Sequence, residues 1–130
     1  MEEVYEFLKE CKVFYLATAE GDQPRVRPFG AINIFEGKLY IQTGKIKKVS
    51  KQMQENPKIE ISGMAGGKWI RLEGTVVRDD RYEAKADMLD NNPELKRMYS
   101  ADDDNTEVLY FENAKATICS FTEAPKEINF

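Results

Sequence analysis

The sequence contains no histidine, and this absence removes whole classes of chemistry. Histidine is the commonest metal ligand and the commonest general base in proteins. Zinc centres, haem held by a histidine and Ser-His-Asp catalysis are therefore disfavoured, and we expect no metal site. No stretch approaches the ~18 consecutive apolar residues of a membrane-spanning helix. We therefore expect no membrane partner.

Cysteine is scarce as well, since Cys11 and Cys119 are the only two and form no CxxC pair. In a reducing compartment such residues are more often ordinary half-buried thiols than a disulfide. The first residues, Met1 to Tyr5, are acidic, whereas a secretory signal begins with a basic leader. We interpret the protein as cytoplasmic.

The 130 residues, 42% of them hydrophobic, predict a single domain spanning residues 1–130 with one real core. The net charge of −4 argues against a general nucleic-acid binder. The charges are nevertheless uneven. Lysines crowd residues 45–51, and aspartates crowd residues 102–104.

The spacing of apolar residues predicts short helices between many strands. The predicted strands are residues 13–19, 25–35, 38–43, 58–64, 69–78, 107–113 and 115–122. The predicted helices carry Val4, Phe7, Leu8 and Cys11 on the first face and Ile46, Val49 and Met53 on the second, with two more at 81–91 and 93–99. Residues 100–106 are predicted as an acidic loop, Asn113 as a turn, and the tail to Phe130 is unassigned.

This pattern predicts a mainly β protein with short α-helices and a mostly antiparallel sheet of six to seven strands. A sheet of that size closes most economically as a barrel, because closure removes exposed edges. The helices would then cap the barrel ends. Pro28 indicates an edge position or a bend, since proline cannot donate to a neighbouring strand.

The segment from Thr43 to Lys48 is the most informative one for chemistry. A strand ends there and a helix begins, with several lysines in the first turn. Free N–H groups at a helix N-terminus together with ammonium groups make a phosphate site. The alternative is a solvated basic helix face. The segment does not match the nucleotide-binding P-loop pattern.

Two further segments could carry function. Arg25 and Arg27 alternate along one strand and so point the same way, which suits phosphate binding or simply an exposed arginine pair. Arg71 and Glu73 also share a face, and we interpret them as members of a cross-strand or interfacial ion pair rather than a catalytic dyad. Trp69, the only tryptophan, is either a packing residue or a platform for a ligand.

In combination these segments resemble the pyridoxamine 5'-phosphate oxidase-like, FMN-binding split-barrel superfamily, and in particular its short bacterial members. The resemblance covers most of residues 1–122. It is carried by the ordered set 24–29 (PRVRPF), 37–43 (GKLYIQT), 47–49 (KKV), 56–57 (NP) and 69–74 (WIRLEG). It implies a split β-barrel that binds FMN.

The resemblance implies particular site residues. Arg25 and Lys48, with Lys47 beside them, would hold the FMN phosphate. Gln42 and Thr43 would meet the ribityl and phosphate end of the cofactor.

The isoalloxazine edge would be lined by backbone groups of Val26, Arg27 and Pro28. Trp69 would approach the flavin from a second subunit, which implies a homodimer with FMN at the subunit interface. Phe29 and Arg71 are further interface candidates, and Tyr40 and Arg27 are candidates for shaping a substrate.

The departures from the family pattern bear on activity. True pyridoxamine phosphate oxidases hold their substrate with a C-terminal arginine and histidine, and nitroimidazole-resistance relatives are associated with a histidine; this chain has neither feature. The sequence therefore predicts a flavin-dependent oxidoreductase of unknown substrate, with NAD(P)H as a candidate electron donor and no assigned catalytic residue. The alternatives are a non-catalytic flavin store, sensor or carrier, or a binder of F420 or haem in the same pocket.

Overall fold

A computed structural model describes all 130 residues. The strands are β1 Phe14–Glu20, β2 Gln23–Phe29, β3 Ile32–Phe35, β4 Lys38–Gly44, β5 Lys58–Ala65, β6 Lys68–Asp79, β7 Thr106–Cys119 and β8 Lys126–Asn129. The helices are α1 Glu2–Cys11, α2 Lys48–Glu55, α3 Tyr82–Asn91 and a short 3₁₀ helix, Pro93–Arg97. The prediction of a mainly β fold with short helices is confirmed.

The eight strands form one antiparallel sheet in the order β2-β1-β5-β6-β7-β4-β3, with β8 paired to β7. The hydrogen-bonded ladder is not closed, because β2 and β3 remain as edges. The sheet nevertheless wraps around one core, in which Phe14 of β1, Ile32 of β3 and Leu72 of β6 belong to a single apolar cluster. The result is a split barrel with eight strands rather than six or seven.

Alternation along the strands decides which side chains enter this core. Leu39 and Ile41 of β4 and Ile59 and Ile61 of β5 are at most 4% exposed, as their spacing predicts. Each such burial contributes about 1.5–3 kcal/mol of hydrophobic stabilisation. Pro28 lies in β2, the edge strand next to β1, where its missing N–H leaves no partner unsatisfied.

Helices α1 and α2 cover the core through one apolar face each. Val4 and Leu8 of α1 and Val49 and Met53 of α2 are buried in the main cluster. The prediction was wrong for Ile46, which precedes α2 and is 88% exposed. No helix is long and apolar enough to cross a membrane.

The predicted single extended stretch 25–35 is two strands on opposite edges of the sheet. The chain leaves β2 at Phe29, crosses through Gly30 and Ala31, and pairs as β3 with β4. Local sequence could not separate the two strands, since both halves are extended and only their partners differ.

The C-terminal region also differs from expectation. The two predicted strands 107–113 and 115–122 merge into one long strand, β7, which ends at Cys119, so the prediction was wrong for residues 120–122. Asn113 adopts a positive φ of 51° within a register irregularity opposite Gly74 rather than at a turn. A β-bulge uses the same left-handed residue that a hairpin turn uses, so the sequence alone is ambiguous. The unassigned tail contains β8, which pairs with residues 115–118 of β7.

A second apolar cluster lies between α3 and the sheet and includes Tyr40, Met88 and Val108. The Tyr40 hydroxyl donates to Asp79 at 2.8 Å, and the Arg81 guanidinium holds the same carboxylate at 2.9 Å. Tyr40 is 1% exposed in this cluster and does not line the cleft described below, so the structure does not support its suggested role in shaping a substrate.

Candidate functional site

A cleft of about 350 Å³ opens between the end of β2, the end of β4, the start of α2 and the 3₁₀ segment. Five of the nine residues predicted for the site line it, namely Arg27, Pro28, Gln42, Thr43 and Lys47. They come from three separate parts of the chain. The fold therefore brings most of the predicted site together.

Arg27 is the most constrained of these residues. Its guanidinium donates to the Leu16 carbonyl at 3.2 Å, to the Thr18 hydroxyl at 2.8 Å and to Gln52 Oε1 at 2.6 Å. All three acceptors are neutral, and no carboxylate lies within salt-bridge distance of Arg27. Burial lowers the pKa of Arg27, and the neighbouring charge of Arg25 lowers it further. A half-buried cation of this kind favours an anionic ligand.

Gln52 connects Arg27 to a second polar group. Its Oε1 also accepts from the Thr18 hydroxyl at 2.6 Å, while its Nε2 donates to Glu20 at 3.3 Å. Glu20 in turn accepts from Arg25 at 3.0 Å. These bonds fix the amide orientation of Gln52, so that its oxygen faces Arg27.

Arg25 shares the face of Arg27, as predicted, but lies outside the cleft. The hydrogen bond from Arg25 is the largest cause that lowers the pKa of Glu20, followed by the bond from Gln52. Lys48 does not line the cleft either, and its charge also lowers the pKa of Glu20. We call Arg25 and Lys48, which both act on Glu20 outside the cleft, the cationic shoulder.

The start of α2 has features of an anion site. Lys47 is its N-cap residue and makes no side-chain capping bond, and the first turn contains no acidic residue. Side-chain acceptors normally satisfy the free N–H groups at this position. Here the N–H groups lack such an acceptor, and Lys47 adds a positive charge in the cleft.

The cleft is cationic overall. Lys12, Arg27 and Lys47 line it, against the single carboxylate of Glu94. None of the four lies within 4.0 Å of an oppositely charged side chain, although ten such ion pairs occur elsewhere in the chain. Unpaired cations in a concave, partly dehydrated site attract an anion.

Several lining residues were not predicted from the sequence. They are Lys12, Phe29, Gly30, Ala31, Val49, Glu94, Leu95, Met98 and Tyr99. Phe29 had been considered only as an interface residue. The 93–99 residues are distant in sequence from the motifs, so no local signal could have placed them here.

Gly44 and Tyr99 meet at the base of this region. A Cβ built on Gly44 would lie 3.2 Å from the Tyr99 hydroxyl and 3.1 Å from Asn105 Nδ2. Glycine therefore permits the close approach of the tyrosine ring to the end of β4. No protein group accepts a hydrogen bond from the Tyr99 hydroxyl, which leaves it free to contact a ligand.

Val26 and Trp69 lie on a different surface, which we call the outer face: the side of β2, β1, β5, β6 and β7 that points away from the core. Tyr15, Val26 and Met64 are 52%, 67% and 67% exposed there. Trp69 packs against Phe121 with ring centroids 5.0 Å apart. A shallow groove of about 700 Å³ also crosses this face.

Charged pairs on the outer face are arranged across strands. Arg71 contacts Glu60 at 3.0 Å, and Lys115 contacts Glu73 at 3.4 Å. The interpretation of Arg71 and Glu73 as members of cross-strand ion pairs is confirmed, although each pairs with a different neighbour. The four charges sum to zero.

Comparison with known proteins identifies the family. Residues 1–118 match the family model described as pyridoxamine 5'-phosphate oxidase. The chain therefore belongs to the pyridoxamine 5'-phosphate oxidase family, whose split-barrel fold it has.

Among solved structures, the chain is similar to a NimC/NimA family protein from Clostridium acetobutylicum, with 56% identity and a TM-score of 0.98. That match covers 100% of this chain and 92% of the other. No curated protein matches the chain.

Two more distant structures share the fold. One is a pyridoxamine 5'-phosphate oxidase-related, FMN-binding protein from Nostoc punctiforme, with 12% identity, a TM-score of 0.66 and coverage of 99% and 93% of the two chains. The other is a heme-binding protein from Mycobacterium smegmatis, with 16% identity, a TM-score of 0.77 and coverage of 98% of this chain and 57% of that one. The fold thus occurs in flavin-binding and haem-binding proteins.

Proposed function

We propose that the protein binds FMN in the cationic cleft, at the interface of a homodimer, and acts as a flavin-dependent oxidoreductase. The observation that carries the proposal is the convergence of Arg27 and Lys47, without carboxylate partners, beside the uncapped start of α2. A phosphate-bearing ligand supplies the missing negative charge. The FMN-binding relative of the same fold supports the choice of ligand.

In this proposal the phosphate is held by Lys47 and by the first-turn N–H groups of α2. In the adjacent shoulder, Arg25 and Lys48 add positive charge near the phosphate. Arg25 releases Glu20 and contacts the phosphate instead. Gln42 and Thr43, near the end of β4, line the cleft next to these groups. They are placed to meet the ribityl chain.

The flat ring system is assigned to the wall formed by residues 27–31. Arg27 is held rigidly by its three acceptors, and Pro28 fixes the backbone direction beside it. Backbone groups of Val26, Arg27 and Pro28 are then presented in a fixed geometry. When bound, FMN would supply hydride or electron transfer, whereas the protein supplies position and charge.

A second subunit is proposed to cover the remaining ligand surface. Binding sites usually enclose about 70–90% of a ligand of this size, and the cleft is open on one side. The outer face carries exposed apolar side chains, which soluble monomers rarely cluster. Trp69 lies on that face, outside the cleft of its own chain, as expected for a residue that reaches the flavin of a partner.

The phosphate assignment is tested by comparing FMN with riboflavin, which lacks the phosphate. A charge-assisted contact contributes about 1.5–3 kcal/mol, so Lys47→Ala should weaken FMN binding about tenfold or more. Riboflavin affinity should stay the same. Lys51→Ala is the matched control, because Lys51 lies on the same helix but is exposed outside the cleft.

Equal losses for FMN and riboflavin, or no loss for either, would move the phosphate elsewhere. The double variant Arg25→Ala/Lys48→Ala tests the shoulder in the same assay. A flavin absorption spectrum in the purified protein supports the proposal, whereas a Soret band would indicate haem. Turnover of bound flavin by NADH or NADPH separates an oxidoreductase from a store or carrier.

The dimer is tested by light scattering. We expect a mass near twice the chain mass of 15.0 kDa. Tyr15→Glu on the outer face should shift the mass to that of one chain and weaken FMN binding. Tyr82→Glu is the control, since Tyr82 is similarly exposed at 59% but lies on α3. A wild-type mass of one chain, with and without FMN, would refute the shared site.

A further inference from the structure

The link between α1 and β1 contains a strained residue that faces the cleft. Lys12 has φ 66° and ψ −51°, and the Val13 N–H donates to the Cys11 carbonyl at 2.7 Å. This is a γ-turn with positive φ, a conformation that is rare and strained for residues other than glycine. Glycine or asparagine is the usual residue after a helix.

Lys12 lies in the wall of the cleft, where its positive charge is available to a ligand. The loop lies against Gly30, since a Cβ built on Gly30 would be 3.4 Å from the Lys12 carbonyl oxygen. Lys12 itself lines the cleft together with Phe29. Its ammonium group has no carboxylate within 4.0 Å, although the chain carries more acidic than basic residues.

Lys12 and Lys47 reach the cleft from different elements. Lys47 lies at the start of α2, where the phosphate is assigned, whereas Lys12 extends from the end of α1. The 3₁₀ segment supplies Leu95 and Met98 to the lining, so apolar surface accompanies the charge at Lys12. Strained residues cluster at functional sites, and of the four non-glycine residues with positive φ in this chain only Lys12 lines the cleft.

We propose that Lys12 is a substrate-binding residue that selects a small organic acid with an apolar body. This inference rests on the proposed function, because the acid would be the compound that exchanges electrons with the bound flavin. The γ-turn places Lys12 in the lining of the cleft at a cost in stability. Glu94 is the only carboxylate of the lining and is outnumbered by Lys12, Arg27 and Lys47, so the net charge of the cleft favours an anionic substrate.

The test uses benzoate and benzamide as probes, because they share a shape and differ in charge. Calorimetric titration of the FMN-loaded protein should show tighter binding of benzoate, and Lys12→Met should weaken benzoate about tenfold, the effect of one charged contact. Benzamide affinity should not change. Lys9→Met, on the exposed part of α1, is the control. Equal wild-type affinities, or a preference that survives Lys12→Met, would overturn the proposal.

Titrations of Lys12→Met with FMN and with riboflavin show whether Lys12 contacts the substrate acid or the phosphate of FMN. Unchanged affinity for both flavins supports a substrate contact. A loss confined to FMN would mean that Lys12 binds the cofactor phosphate, which overturns this inference but supports the proposed function. Absence of FMN binding by the wild type would instead refute the proposed function itself.

Lys12→Gly distinguishes a residue that binds substrate from one that only forms the turn. Glycine relieves the positive φ, so the melting temperature should rise by about 2–5 °C. The preference for benzoate should be lost in the same variant. A rise in melting temperature with the preference intact would show that Lys12 is only a turn residue.

Discussion

Replacing Asp79 by asparagine should remove the pH-dependent stabilisation that the Asp79 carboxylate gives to the folded protein. Asp79 is 8% exposed and accepts hydrogen bonds from Arg81 and from the Tyr40 hydroxyl. The bonds from Arg81 are the largest cause that lowers the pKa of Asp79 to about 2, from an ordinary 3.8. Burial opposes this effect but is outweighed.

The magnitude follows from the difference between the two pKa values. A carboxyl whose pKa falls from 3.8 to about 2 on folding contributes about 2 kcal/mol to the free energy of unfolding. Since the folded-state pKa is the lower one, the contribution is fully present above the unfolded pKa. It is lost as the pH falls through the folded pKa. Asparagine keeps an oxygen that accepts from Tyr40, so the charge is the main change.

The assay is urea denaturation of wild type and Asp79→Asn across the acidic range. We expect the variant to be less stable by about 2 kcal/mol at neutral pH, with the difference shrinking steadily below about pH 4. Asp90→Asn is the control, because Asp90 pairs with Lys96 on the surface and such pairs contribute little. A difference that stays constant with pH, or is absent at neutral pH, would refute the reasoning.

Three further outcomes are expected. Gly74→Ala should destabilise the protein by about 1–3 kcal/mol in the same assay, because the alanine Cβ would lie 2.9 Å from Phe111 Cδ1. Gly30→Ala is the control, since its Cβ would make only an ordinary contact and the free energy of unfolding should hardly change. Deleting residues 123–130 should lower the melting temperature, since the Phe130 backbone donates to and accepts from Ala114 at 2.9 and 2.7 Å; an unchanged melting temperature would show that β8 contributes nothing. The protein should not oxidise pyridoxamine or pyridoxine phosphate efficiently, because its sequence contains no histidine to hold the substrate, and steady-state turnover of either would contradict this.

The lysines after Thr43 predicted a basic helix start, and the family resemblance assigned Arg27 and Pro28 to the cofactor. The structure places Arg27, Pro28 and Lys47 in one cleft and shows that the helix start lacks a capping acceptor. The sequence did not distinguish Arg25 from Arg27. Only tertiary structure decides that Gln52 and Thr18 hold one arginine in the cleft while Glu20 holds the other outside it.

The sequence by itself predicted that Leu39 and Ile41 share one face of β4 and enter the main core, because a two-residue period is a local property. Only the tertiary structure buries their neighbour Tyr40, in the second cluster against α3. The sequence also determined the chemical character of the site, since charge and turn chemistry are local properties. Strand pairing is a long-range property, so only the tertiary structure placed β2 and β3 on opposite edges and made Asn113 a bulge. The same long-range packing brought Lys12 and Tyr99 into one cleft with Lys47, because residues so far apart in sequence meet only when the sheet curls.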